Sequence, residues 1–233
     1  MTPSTSSAVR ACVFDAYGTL LDLASAVEPH VPAIGTAAPG VLALWRAKQL
    51  EYTWLRTLMG RYADFAQVTA DALDYTFASY GLADRGLRAT LLAAFERLAA
   101  YPDAVSTLAA LRANGLRTVV LSNGTPSMLA SAFAASGLVP VLDAVLSVEE
   151  VARYKPAPEV YALATLTLAL SPGQILFVSA NAWDVAGAAS AGLVTAWVNR
   201  AGAPAERLPD GAAHVVQSLS ELPALAQRLA SRE

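Results

Sequence analysis

Two hydrophobic rhythms divide the chain. From about Pro39 to Ala100, apolar residues recur at helical spacing. In "PGVLALWRAKQLEYTWLRTLMG" they fall at Leu42, Trp45, Leu50 and Trp54, close to the ~3.6-residue period of an α-helix. "FAQVTADALDYTFASYG" and "LRATLLAAFERLAA" continue in the same style, and Gly60 and Gly81 stand where helix C-caps are expected. Elsewhere the pattern alternates. The apolar run at 9–14, then "LRTVVLSNG", "DAVLSV", "ILFVSA", "TAWVN" and "HVVQ", read as short strands, with helical patterns at 103–114, 126–136, 157–169, 184–191 and 219–230. This alternation predicts an α/β class: a doubly wound parallel sheet with helices on both faces. Because a long helical stretch separates the first strand from the others, the simplest organisation has two parts. Residues 8–22 and 101–230 form the core, and residues 23–100 form a helical cap inserted after the first strand.

Composition narrows the class. Hydrophobic residues make up 55% of the 233 and charged ones 15%, which excludes a disordered chain. A net charge of -3 without any basic block gives no support to nucleic-acid or membrane-surface binding. The single cysteine, Cys12, cannot form an internal disulfide; it reads as a buried strand residue in a reducing compartment. The opening "MTPSTSSAVR" lacks the apolar stretch of a secretory leader, and no apolar run reaches the ~18 residues of a membrane span. The expectation is a soluble, cytoplasmic protein.

Candidate chemistry lies at strand ends. In doubly wound sheets, ligands collect beyond the carboxyl ends of the strands, where strand order reverses. Asp15 closes the first strand ahead of the turn at Gly18 in "FDAYGTLLD". Ser122 and Asn123 close the second, and Ser179, Asn181 and Asp184 follow "ILFV". Lys155 is expected to open a helix in "YKPAPEVY", with Pro156 in its first turn. Taken singly, each has an ordinary reading. Asp15 and Ser122-Asn123-Gly124 suit turns. Lys155 suits a solvated helix start, and Asp184 suits an acid at a helix N-terminus. Arg46 alone reads as surface and Trp183 as core. The informative feature is the order: an acid, a hydroxyl, a lysine and a second acid, each at a comparable position. His30 and His214 fall outside these motifs, which disfavours a Ser-His-Asp hydrolase.

The series "FDAYGTL", "LSNG", "YKP" and "FVSANAWD" resembles the haloacid dehalogenase superfamily. The Asp-x-Tyr form of the first motif, with "SANAWD", is similar to the L-2-haloacid dehalogenases of that superfamily. The likeness extends into "LWRAKQLEYTWLR" and so spans most of the chain. The resemblance implies a Rossmann-like core with a helical cap, commonly as a homodimer. It also implies hydrolytic release of halide from short 2-haloalkanoic acids. Phosphatases of the superfamily carry a second Asp two residues after the nucleophile and hold Mg²⁺ with further acids. Here Tyr17 and Ala180 occupy such positions, and Lys155 adds positive charge. A halide leaves without needing a proton. The expectation is therefore no cofactor and no metal. A phosphatase or phosphonate hydrolase of the same superfamily is the alternative, and a catalytically silent binding protein is a further one.

The resemblance also implies roles. Asp15 attacks C2 and forms an aspartyl ester. Lys155 keeps Asp15 ionised and oriented, and Thr19 hydrogen-bonds the same carboxylate. Ser122 and nearby backbone N–H groups hold the substrate carboxylate. Arg46 and Asn123 meet the departing halide. Asp184, with Ser179 and Asn181, positions and deprotonates the water that opens the ester. Tyr17, Leu50, Phe65 and Trp183 wall the carbon chain, and Tyr161 hydrogen-bonds within the network. Arg46 and Leu50, four residues apart, share a helix face. A single displacement at C2 converts an L-2-haloacid into a D-2-hydroxy acid.

Overall fold

Six strands build one sheet: β1 (Ala11–Phe14), β2 (Arg117–Ser122), β3 (Ala144–Ser147), β4 (Ile175–Ser179), β5 (Val194–Val198) and β6 (His214–Val216). The computed structural model describes residues 8–231, and the polar stretch 1–7 read above lies outside them. All neighbours pair in parallel, in the order β3-β2-β1-β4-β5-β6. Strands covered on both faces read as unbroken apolar runs. Accordingly Cys12, Val13 and Phe14 in β1, and Leu176, Phe177 and Val178 in β4, are fully buried. Strand order reverses at β1, with β2 and β3 on one side and β4 to β6 on the other. Asp15 and Ser179 thus open the crevice in which a doubly wound sheet binds its ligands.

The helices are α1 (Val31–Ile34), α2 (Ala38–Leu58), α3 (Phe65–Tyr80), α4 (Arg85–Phe95), α5 (Ala104–Ala113), α6 (Pro126–Ser136), α7 (Pro158–Leu168), α8 (Ala182–Ser190) and α9 (Leu222–Ala230). The Asp64 and Asp84 side chains cap α3 and α4 by accepting backbone N–H bonds, and Gly81 ends α3 in the left-handed conformation. The helical region leaves and rejoins the core through two extended segments that bond to each other. Asp22 N–H donates to the Ala99 carbonyl at 2.8 Å, and Tyr101 N–H to the Leu20 carbonyl at 2.9 Å.

Two local expectations are corrected. Lys155 does not open a helix: α7 begins at Pro158, and Lys155 sits in the preceding turn. Proline at 158 satisfies the first-turn preference, so the helix starts one proline later than expected. The stripe on α2 also differs. Its buried face is Ala38, Val41, Trp45, Gln49 and Thr53, packed towards α3, while Leu42, Arg46, Leu50 and Trp54 form a second, partly buried face. Residues four apart align on a helix, so a helix touching two partners shows two such rows.

Candidate active site

Asp15 follows β1 directly, and its N–H donates to the Val178 carbonyl of β4 at 2.9 Å. That bond anchors the residue at the reversal point. Its two carboxylate oxygens are dressed differently. Oδ2 accepts from Thr19 Oγ1 at 2.9 Å, Asn181 Nδ2 at 2.9 Å and Ser179 Oγ at 3.5 Å. Oδ1 accepts from Lys155 Nζ at 3.1 Å. The turn through Gly18 (φ 87°) lets Thr19 fold back over the carboxylate, and the same hydroxyl accepts from Ala180 N–H at 2.8 Å. Ser179 and Asn181 thus contact the nucleophile candidate itself, rather than standing with Asp184 around a water.

Lys155 Nζ also donates to Asp184 Oδ2 at 2.8 Å and lies 4.9 Å from the centre of the Phe177 ring. Lysine and both acids are almost wholly buried. Removing such charges from water is costly unless they pair, and here one cation is shared by two carboxylates. Burial pushes the Lys155 pKa down, but Asp15 and Asp184 outweigh it and hold the ammonium above its ordinary value. Asp184 is pushed up to about 6, first by burial and also by the charge of Asp15, against Lys155 and Tyr161. Tyr161 Oη donates to Asp184 Oδ1 at 2.8 Å. The structure therefore puts Tyr161 on this acid, within the expected hydrogen-bond network.

Arg46 comes from α2, and its Nη1 donates to Gln49 Oε1 at 2.7 Å. Gln49 is buried and in turn donates to Thr69 Oγ1 at 2.7 Å, which fixes the arginine against α3. Burial lowers the Arg46 pKa, opposed by Asp15, Tyr17 and Asp184, so the guanidinium senses both acids of the core. Tyr17 is buried, stacks on Phe95 with centroids 5.2 Å apart and lies against Phe65 at 5.4 Å. Its hydroxyl is buried and has no hydrogen-bond partner among the described residues, and burial raises its pKa. Trp183 meets Trp54 of α2 edge to face at 5.3 Å. Leu50 is partly buried on the same α2 face as Arg46.

Ser122 Oγ accepts from Gly124 N–H at 3.1 Å. The Asn123 side-chain oxygen accepts from Lys155 N–H at 3.2 Å and so anchors the lysine turn. Sequence reasoning missed Gln49, whose signal was a polar residue on an apolar helix stripe. It also missed Tyr154, which ties the lysine turn to the helical region. Thr57 Oγ1 accepts from Tyr154 N–H at 3.1 Å, and Tyr154 Oη donates to the Ala63 carbonyl at 2.6 Å. Among the described residues no cluster of three or more His, Cys, Asp or Glu is arranged to hold a metal ion, and no helix is long and apolar enough to cross a membrane.

Comparison with known proteins follows from this geometry. A model of haloacid dehalogenase-like hydrolases matches residues 9–192. (S)-2-haloacid dehalogenase 1 of Pseudomonas sp. (strain CBS-3) is 50% identical over 95% of this chain and 98% of its own. (S)-2-haloacid dehalogenase 4A of Burkholderia cepacia is 47% identical over 95% and 96%. The solved L-2-haloacid dehalogenase of Xanthobacter autotrophicus with chloropropionic acid covalently bound superposes with a TM-score of 0.87. It is 39% identical, over 94% of this chain and 98% of that one. With Asp15, Lys155 and Asp184 gathered at the reversal point of a parallel sheet, the chain belongs to the haloacid dehalogenase-like hydrolases, among the L-2-haloacid dehalogenases.

Proposed function

We propose that this enzyme hydrolyses short L-2-haloalkanoic acids to D-2-hydroxy acids and halide through an ester on Asp15, without a metal ion. One observation carries the reading: Oδ2 of Asp15 is held by three side-chain donors, while Oδ1 is held by Lys155 alone. Oδ1 keeps a lone pair for attack on C2. The C2–halogen bond breaks, and the halide leaves with its electron pair beside the Arg46 guanidinium of α2. Oδ1 becomes the ester oxygen and Oδ2 the ester carbonyl oxygen.

Water then attacks Cγ of Asp15 and gives its proton to Asp184. Negative charge grows on Oδ2, where Thr19, Asn181 and Ser179 donate; such preset donors lower the barrier more than solvent can. Collapse breaks the Cγ–Oδ1 bond, and the leaving alkoxide takes the proton. C2 is inverted once. Tyr17, in place of a second acid, offers a buried aromatic wall rather than a carboxylate, which suits a leaving group that needs no proton. The covalently bound chloropropionic acid of the Xanthobacter enzyme supports the same route.

In this reading residues 23–100 act as a cap that carries Arg46 and Leu50 over the crevice. We also infer a homodimer in the cytoplasm, for which light scattering of the purified protein is the check on assembly. The deciding experiment is one turnover of excess enzyme with L-2-chloropropionate in H₂¹⁸O. Label is expected in the Asp15 carboxylate and not in the lactate. Label entering lactate directly would mean that water attacks C2, and the ester route would fall.

A further inference from the structure

We propose that Gly187 is a positioning residue for the hydrolytic step, because its missing side chain is the space in which Tyr161 and the Pro156 turn close on Asp184. The inference rests on the ester reading above. Gly187 lies in α8, three residues beyond Asp184 and on the same side of the helix. A Cβ there would stand 2.5 Å from the Tyr161 hydroxyl, 3.0 Å from Tyr161 Cζ and 2.6 Å from Pro156 Cβ. Glycine is a poor helix former, and Gly187 is not among the glycines with positive φ. Backbone freedom therefore does not account for it, whereas close approach does.

Neither neighbour yields without moving the site. Tyr161 is fully buried, and its ring meets Phe177 edge-on at 5.6 Å. Its hydroxyl reaches both Asp184 Oδ1, at 2.8 Å, and the Asp184 carbonyl, at 3.2 Å. Pro156 is bonded to Lys155, whose N–H is held by Asn123 and whose Nζ is held by the two acids. A methyl group at 187 therefore pushes on two of the groups that set Asp184. The charged and titratable groups facing Asp184 are Lys155 and Tyr161, Asp15 at the end of β1, and Arg46 from α2. Loss of the Tyr161 donor leaves the ionised acid less stabilised, so its proton affinity rises.

The test uses Gly187→Ala, with Gly40→Ala as a control for replacing a helical glycine. Gly40 lies in α2, where a Cβ would meet the hydroxyl of half-exposed Tyr80 at 2.3 Å. Each variant is loaded with L-2-chloropropionate, and the breakdown of the Asp15 adduct is followed by mass spectrometry against pH. Gly187→Ala is expected to accumulate adduct and to move the acid limb of breakdown up by about one unit, the scale of one lost bond to a charged group. Gly40→Ala is expected to keep the wild-type limb. Tyr161→Phe removes the closest contact, so Gly187→Ala in that background is expected to coincide with Tyr161→Phe alone. That comparison stands if the single variant does not fold. A wild-type limb in folded Gly187→Ala, or a further shift in the double variant, overturns the proposal. Wild-type enzyme that releases no halide overturns the ester reading itself, and this inference with it.

Discussion

The charge on Asp184 should change during turnover, and the structure sets the size of that change. In the free enzyme burial and the Asp15 charge push its pKa to about 6. Both acids bond to one Nζ, at 3.1 and 2.8 Å, so the bonded oxygens are no more than about 6 Å apart. At an effective dielectric near 20, repulsion across that distance is about 3 kcal/mol, or about two pH units. Ester formation removes the charge on Asp15. The Asp184 pKa should then fall below about 6, towards about 4. The assay forms the Asp15 adduct with limiting substrate, jumps the pH and follows adduct loss by quench and mass spectrometry. Below the new midpoint the rate should fall about tenfold per unit. Asp184→Asn should remove the acid limb and slow breakdown by about 10²–10⁴, the usual worth of a general base. Unfolding checks the sign independently. A raised folded pKa means that the folded state holds its proton more tightly, so the Asp184 contribution weakens as pH rises from 3.8 to about 6. An adduct that decays at the wild-type rate in Asp184→Asn, or a limb above 6 shared by both proteins, would refute the assignment.

Lys155→Met leaves two buried carboxylates without their cation and should cost about 3–5 kcal/mol in urea unfolding at neutral pH. The deficit should shrink in acid, because Asp184 can then take a proton; equal deficits at both extremes would contradict the shared-cation geometry. Asn181→Ala removes one of the donors on Oδ2 and should slow ester breakdown more than ester formation, which rapid quench can separate. Activity should survive EDTA, and a strict Mg²⁺ requirement would return the phosphatase-like alternative. L-2-chloropropionate should yield D-lactate by chiral chromatography, since only one of the two bond-breaking steps occurs at C2; L-lactate from it would contradict the route.

The sheet was legible because parallel strands buried on both faces leave unbroken apolar runs, as in "ACVF" and "ILFV". The site residues were legible because their signals are local: an acid at a strand end, and hydroxyl and amide residues just after one. What the sequence hid depends on distant contacts. Lys155 was assigned to a helix because either Pro156 or Pro158 can start one, and only the folded turn distinguishes them. Gln49 was passed over because its partner Thr69 lies on another helix. Tyr154 contacts Thr57 and Ala63, each about ninety residues away in the chain. Gly187 carries no local signal except its poor fit to a helix, and the two atoms that exclude a side chain there come from the Pro156 turn and α7.

Sharing one buried lysine between two acids also orders the two chemical steps. A cation bound to Asp15 alone would withdraw charge from the nucleophile throughout the first step. Divided between Asp15 and Asp184, it orients Oδ1 at 3.1 Å while its shorter bond goes to the second acid. In the free enzyme the Asp15 charge raises the proton affinity of Asp184, which makes it a weak candidate to activate water early. Once Asp15 is esterified, that repulsion is gone and Lys155 faces a single carboxylate. The same ammonium then stabilises Asp184 in its ionised form, just as an ester exists for water to attack. On this reading the first step prepares the base for the second. The arrangement requires Asp15 and Asp184 to stay within reach of one Nζ, and this distance is maintained by Asn123 on the lysine turn, Tyr161 on Asp184 and the open space at Gly187.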